Sequence, residues 1–217
     1  MCSENNSNKS LVEKYYKTAE QYDQMKETQG WRGPDIVFGM VYQFIKSGQL
    51  VLDIGIGTGL GSILFHKAGL RVCGMDLSVD MLEVCRKKGF TEDLQQHDLK
   101  VIPYPYSDEM FDHAVCVGVL NHFDDLSPVF SETSRILKKN GTFTFIAADR
   151  KNNEEHTFNV EHENSKTTMF RYSSEEIEKL LEDTNFVLMK QVEFMVPGHK
   201  ENNQSMRLKT YTAKKIT

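Results

Sequence analysis

Cysteine is sparse in this chain of 217 residues, and the four present, Cys2, Cys73, Cys85 and Cys116, form no C-x-x-C pair. Their spacing fits neither a zinc-ligand set nor a disulfide framework. Three of them sit in apolar patterns, where a free cysteine behaves as a small hydrophobe. Long hydrophobic runs are also missing. No stretch approaches the roughly 18 apolar residues that a membrane span needs, and the opening MCSENNSNKS contains no apolar signal region. Nor is there an excess of positive charge. The 26 basic residues face 31 acidic ones, for a net charge of -5, whereas binding to a nucleic-acid backbone calls for a concentrated basic face. The expectation is a cytoplasmic protein in reducing surroundings, with a disordered polar tail over 1–10 and without metal, membrane or nucleic-acid partners.

What the chain does contain is ordinary globular composition, 39% hydrophobic and 26% charged. A chain of this length can bury roughly 70% of its unfolded surface in one core. No internal repeat or low-complexity linker divides it, so residues 11–217 read as a single domain. Leu11, Tyr15, Ala19 and Tyr22 at helical spacing predict a helix over 11–26, and a second helix starts at Asp35 after Pro34 and stops at Gly48. Strands and helices then alternate. QLVLDI, LRVCGMD, DLQQHD, FDHAVCVGV and GTFTFIAAD read as strands. LGSILFHKAG, VDMLEVCRKKG behind a Ser78 cap, and VFSETSRILKKNG behind a Ser127 cap with Pro128 at its first position read as the helices between them. The polar segment 149–171 reads as solvated loop. Ser173 or Ser174 caps a Glu-rich helix, and VLMKQVEFMV and MRLKTYTAKK form a closing antiparallel hairpin.

This alternation predicts an α/β fold with a mostly parallel sheet and helices on both faces. Residues 11–48 read as N-terminal helices, 49–148 as the alternating core and 149–217 as a polar segment, a helix and the terminal hairpin. In such sheets ligands bind beyond the carboxyl ends of the strands. The first strand leads there into VLDIGIGTGLG, with glycine at 55, 57, 59 and 61. A dinucleotide fingerprint, G-x-G-x-x-G, fits neither glycine register, since Leu60 or Ser62 falls at the third position, and the phosphate-binding G-x-x-x-x-G-K-S/T is absent. What stands is D-x-G-x-G-x-G, Asp53 through Gly59.

That pattern resembles motif I of the class I S-adenosylmethionine-dependent methyltransferases, and later stations agree in order: Asp76 closing the second strand, Asp98 in QHDL after the third, VGVLNHF after the fourth, and RILKKNGTFTF. Within that family the layout is similar to the small type 11-like enzymes. YYKTAEQYDQMKETQGWRGP is similar to the N-terminal region of the methyltransferase-like 27 (Williams–Beuren region) group. The resemblance implies a Rossmann-like three-layer sandwich with a seven-stranded sheet and an antiparallel last strand. It also implies S-adenosyl-L-methionine as cofactor and S-adenosyl-L-homocysteine as product. Gly55, Gly57 and Gly59 would approach the ligand, Asp76 would bind the ribose and Asp98 the adenine amino group, with Leu99 and Val117 among the cofactor contacts.

Other positions stay open between two roles. Asp53 orients the loop or sits near the ligand's ammonium group, and Leu77 packs on adenine or in the core. Met81 reads as core. His122, just past the fourth strand, is placed to act as general base near neutral pH or merely caps the next loop, and Asn121 shares that ambiguity. Tyr22 could cover a sulfonium and Arg32 could pair with the cofactor's carboxylate, while Tyr15 reads as core. EEHTFNVEHEN, with His156, Phe158 and His162, lacks metal-ligand spacing.

The resemblance implies methyl transfer by direct displacement. GVLNHF lacks the N-P-P-Y/F signature of amide methylators, and neither a Pro-Cys nucleophile nor an arginine-methyltransferase glutamate pair occurs. A small-molecule acceptor is therefore the expectation. A protein or peptide acceptor and a non-catalytic cofactor-binding protein are the alternatives, and both monomer and homodimer are open.

Overall fold

In the computed structural model, residues 19–162, 165–196 and 205–217 are described. The first strand, β1 (Leu50–Ile54), is buried at every position, as expected of a strand covered on both faces of a parallel sheet. It pairs in parallel with β2 (Arg71–Asp76) on one side and β4 (Phe111–Cys116) on the other. β3 (Thr91–Gln96) extends the sheet beyond β2, and β5 (Leu137–Ala148) extends it beyond β4. The two closing strands, β8 (Phe186–Val196) and β9 (Met206–Lys215), form the foreseen hairpin. β9 inserts between β5 and β8, antiparallel to both, giving a seven-stranded sheet in the order β3-β2-β1-β4-β5-β9-β8. The fold has the parallel core that the alternation of elements predicted and is the Rossmann-like sandwich, with an antiparallel last strand, that the resemblance implied.

Helices cover both faces. On one, α2 (Gly33–Val41), α3 (Ile63–Lys67) and α4 (Val79–Lys87) bury Val37, Val41, Phe65, Leu82 and Cys85 against Val51, Val72 and Val115. On the other, α5 (Ser127–Ile136) and α6 (Ser174–Asp183) bury Phe130, Ile136, Ile177 and Leu181 against Leu52, Phe143 and Phe145. Met81 is core, as read. α1 (Ala19–Thr28) lies outside the first layer. Tyr15 and Tyr16 of the predicted 11–26 helix fall outside the described residues, and so does the 1–10 tail. No helix among the described residues is long and apolar enough to cross a membrane.

Three expectations need correction. Ser127 does not cap α5; it is the first helical residue, and its N–H is taken by the Asp125 carboxylate at 2.8 Å. That helix ends at Ile136, because Leu137 pairs with Phe111 and LKKNG continues as strand. Within 149–171, β6 (Thr157–His162) and β7 (Ser165–Phe170) form a separate antiparallel pair instead of solvated loop. Its alternation, with Phe158 opposite Met169 and Val160 opposite Thr167, is diluted by polar residues and escapes a search for apolar runs.

Candidate cofactor site

Because β1, β2, β3 and β4 run in parallel, their exits meet at one pole. Gly55 and Ile56 continue from β1 by donating to the Met75 carbonyl at 2.8 and 3.0 Å, which turns the loop across the end of β2. Gly55, Gly57 and Gly59 all have positive φ. At Gly57, φ is 54° and a side chain would project into open space, so this backbone faces a ligand unobstructed. Gly61 answers to a different need: a Cβ there would stand 2.9 Å from Asp53 Oδ2.

Asp76 organises the crossing. One carboxylate oxygen accepts from Gly57 N at 2.8 Å and the other from Ser78 N at 2.9 Å. Burial raises its pKa while those N–H groups oppose the rise. Each oxygen retains a free lone pair, enough for the two hydroxyls of a ribose. Leu77 follows it with 43% of its surface exposed, an apolar side chain at the strand exit with no core to fill.

Asp53 is 1% exposed, and neither of its carboxylate oxygens has a hydrogen-bond partner among the described residues. Burial pushes its pKa up to about 7; the nearby Ser62 hydroxyl pulls it down and the Asp76 charge adds to the rise. An orphaned buried carboxyl beside a glycine loop asks for a cation. The ammonium end of a ligand would satisfy that demand, so the residues present are compatible with the amino-acid portion of S-adenosylmethionine.

The remaining stations spread round the same rim. His97 N donates to the Asp76 carbonyl at 2.9 Å, bringing the end of β3 alongside. Asp98 uses one carboxylate oxygen to accept from Lys100 N at 2.9 Å, leaving the other available, and Leu99 is buried in the core behind it. Val117, half-buried past β4, lies 3.3 Å from where a Gly61 side chain would begin, and Val119 blocks any side chain at Gly55. Asn121 and His122 belong to a short turn, Leu120–His122. His122 is solvent-exposed, yet surrounding protein and the Lys100 charge hold its pKa below the ordinary histidine value, favouring the neutral base.

The β6–β7 pair packs over this turn. Asn121 Nδ2 reaches Met169 Sδ at 3.7 Å, the Tyr172 hydroxyl donates to the Phe123 carbonyl, and His156 bridges Asp124 (3.0 Å) and the Arg171 carbonyl (2.8 Å). His156 is thus a fastener of the hairpin. Among the described residues no cluster of histidine, cysteine and acidic side chains is placed to hold a metal.

On the opposite flank, α1 is clipped to the glycine loop. Thr58 Oγ1 donates to Asp23 at 2.5 Å, and Asp23 also pairs with Lys88, the residue after α4. Burial, and after it the nearby charges of Asp76 and Asp23, raises the Tyr22 phenol pKa to about 12. Tyr22 was expected over a sulfonium, whereas Thr58 and Asp23 were not singled out, because their contact forms only once α1 has docked. Arg32 is placed otherwise than expected: its side chain is 75% exposed, and its ion-pair partner is Asp35 at 3.9 Å. A cavity of about 270 Å³ lined by Gln49, Asp112, His113 and Thr142 lies at the opposite pole. Its polar groups bond one another or the backbone, so it asks for no ligand.

The pattern of the family described as "Methyltransferase domain" matches residues 52–145. The chain is 32% identical over 117 residues to a ubiquinone biosynthesis O-methyltransferase of Methylococcus capsulatus, a match covering 50% of this chain and 49% of that protein. It is 29% identical over 102 residues to a demethylmenaquinone methyltransferase of Tropheryma whipplei, covering 45% and 41%. The chain therefore spans about half the length of the curated relatives it matches. A solved S-adenosylmethionine-dependent methyltransferase from Methanosarcina mazei shares the fold with a TM-score of 0.70 at 16% identity, over 82% of this chain and 97% of that one. The matched core carries the glycine loop and the acids at the exits of the first three strands, so the chain is similar in this region to methyltransferase domains and shares the fold of solved S-adenosylmethionine-dependent methyltransferases.

Proposed function

We propose that this protein transfers a methyl group from S-adenosylmethionine to a small, largely apolar acceptor bearing an ionisable hydroxyl. The observation that carries this reading is the roof over the β4 exit. The hairpin pairs Phe158 with Met169 and brings Met169 Sδ to 3.7 Å from Asn121 Nδ2, setting apolar side chains beside the β4 exit, which suits a small ring system better than a polypeptide. Relatives named for ubiquinone and menaquinone methylation support an acceptor of the quinol or phenol class.

When bound, the cofactor supplies an electrophilic methyl on a sulfonium. The protein's own contributions are binding and exclusion of water. Asp53 holds the ammonium, Gly55, Gly57 and Gly59 give the backbone its close approach, and Asp76 takes the ribose. Asp98, with Leu99 and Val117 behind it, and Leu77 flank the adenine, and Tyr22 lies at the side formed by α1. Alignment of the acceptor accounts for most of the rate. His122, kept neutral by its surroundings, takes the proton that the acceptor hydroxyl loses.

The test is incubation of the full chain with S-adenosylmethionine labelled in the methyl group, against a panel of catechols and hydroquinones and against basic peptides. Label is expected in the extracted small molecules. Label in the peptides alone would overturn the reading in favour of a protein acceptor.

A further inference from the structure

We infer that Lys26, and not Arg32, holds the α-carboxylate of the cofactor, so that Lys26 and Asp53 together grip the zwitterionic end of the ligand; this rests on the cofactor reading above. Lys26 stands one turn after Tyr22 on α1, on the face that meets the site. Its Nζ lies 5.3 Å from the centroid of the Tyr22 ring and 5.9 Å from that of Trp31. Both rings are fixed. Tyr22 is half-buried near Asp76, and the Trp31 indole lies over Gly33 so closely that a Cβ there would stand 2.2 Å from Trp31 Cζ2.

The cations and acids of this region divide unequally. Asp23 and Glu20 of α1 are engaged by Lys88 and Lys87 at the end of α4, Lys88 lying one residue past it, while Lys26 has no carboxylate partner among the described residues. Burial lowers the pKa of Lys26, the mark of a cation short of compensation. Asp53 presents the opposite deficit, a buried carboxyl with no cation beside it among the described residues. An amino-acid zwitterion supplies both missing charges at once. Arg32 has no such need, being exposed and already beside Asp35, itself 58% exposed. The aromatic contacts hold the ammonium of Lys26 in place before the ligand arrives.

The experiment is calorimetric titration of the full chain with S-adenosylhomocysteine and with 5′-methylthioadenosine, which has the adenosine thioether but no amino-acid end. Lys26→Met should weaken S-adenosylhomocysteine at least about tenfold, the worth of one charge-assisted hydrogen bond, and leave methylthioadenosine unchanged. That second ligand also reports that the variant is folded. Lys26→Arg should retain most of the affinity, and Arg32→Met should bind both ligands as the wild type does. Equal losses for both ligands in Lys26→Met would overturn the assignment by making Lys26 a support of α1 alone. Wild-type affinity for S-adenosylhomocysteine in Lys26→Met, or a selective loss in Arg32→Met, would overturn it as well. A wild-type chain that binds neither ligand would instead reject the cofactor reading itself, and the assignment with it.

Discussion

Asp53 illustrates how one buried carboxyl can couple ligand binding to pH. Its folded-state pKa of about 7 lies above the ordinary 3.8. In the free protein this group contributes stability that is fully present below the ordinary value and is lost as pH rises through about 7. Ligand binding runs the other way, since holding an ammonium requires the ionised form. Affinity for S-adenosylhomocysteine should therefore rise as pH is raised through about 7, with proton release on binding below that value. Titration in buffers of different ionisation enthalpy measures the release. Asp53→Asn should bind more weakly and lose this pH dependence; a pH-dependent affinity that survives in Asp53→Asn would assign the titration to another group. Asp53, Asp76 and the glycines were legible in the sequence because their spacing is set by the strand-to-loop turn itself. Arg32 was singled out and Lys26 was not, because the direction a side chain takes from a covering helix depends on docking contacts such as Asp23 with Thr58.

Among the elements, α6 is the most fully specified locally. The Ser173 hydroxyl accepts from Glu176 N at 3.2 Å, while the Glu176 carboxylate accepts from Ser173 N at 2.7 Å and pairs with Arg150. Ser173→Ala should lower stability by about 1 kcal/mol, read as a fall in the melting temperature. No change would mean that Glu176 and the packing of Ile177 and Leu181 hold the helix start without the hydroxyl. This cap was readable from SSEE followed by an apolar stripe. The β6–β7 pair was not, because its inward positions, Phe158, Val160, Thr167 and Met169, alternate with Asn159, Thr168 and other polar residues. The end of α5 was hidden for a different reason. RILKK has good helix formers throughout, and only the pairing of Leu137 with Phe111 in the sheet turns the chain into strand after Ile136.

For the whole molecule, parallel strand order does what no single motif does. It gathers residues as distant in sequence as Asp53, Asp76, Asp98 and His122 at one pole, and the α1 cover and the β6–β7 roof approach that pole from two sides. The order of stations along the chain was enough to foresee this gathering, since right-handed crossovers leave little choice of topology. How the roof and cover close was beyond it, because both depend on side-chain contacts between distant segments. The most direct measurement is calorimetric titration of the purified chain with S-adenosylmethionine and S-adenosylhomocysteine, with NAD as control. Micromolar binding of both adenosyl ligands and none of NAD is expected, with affinity weakened by about 1–3 kcal/mol in Asp76→Ala through lost charge-assisted hydrogen bonds. Binding of NAD without the adenosyl ligands, or undiminished affinity in a folded Asp76→Ala, would contradict the site described for the glycine loop.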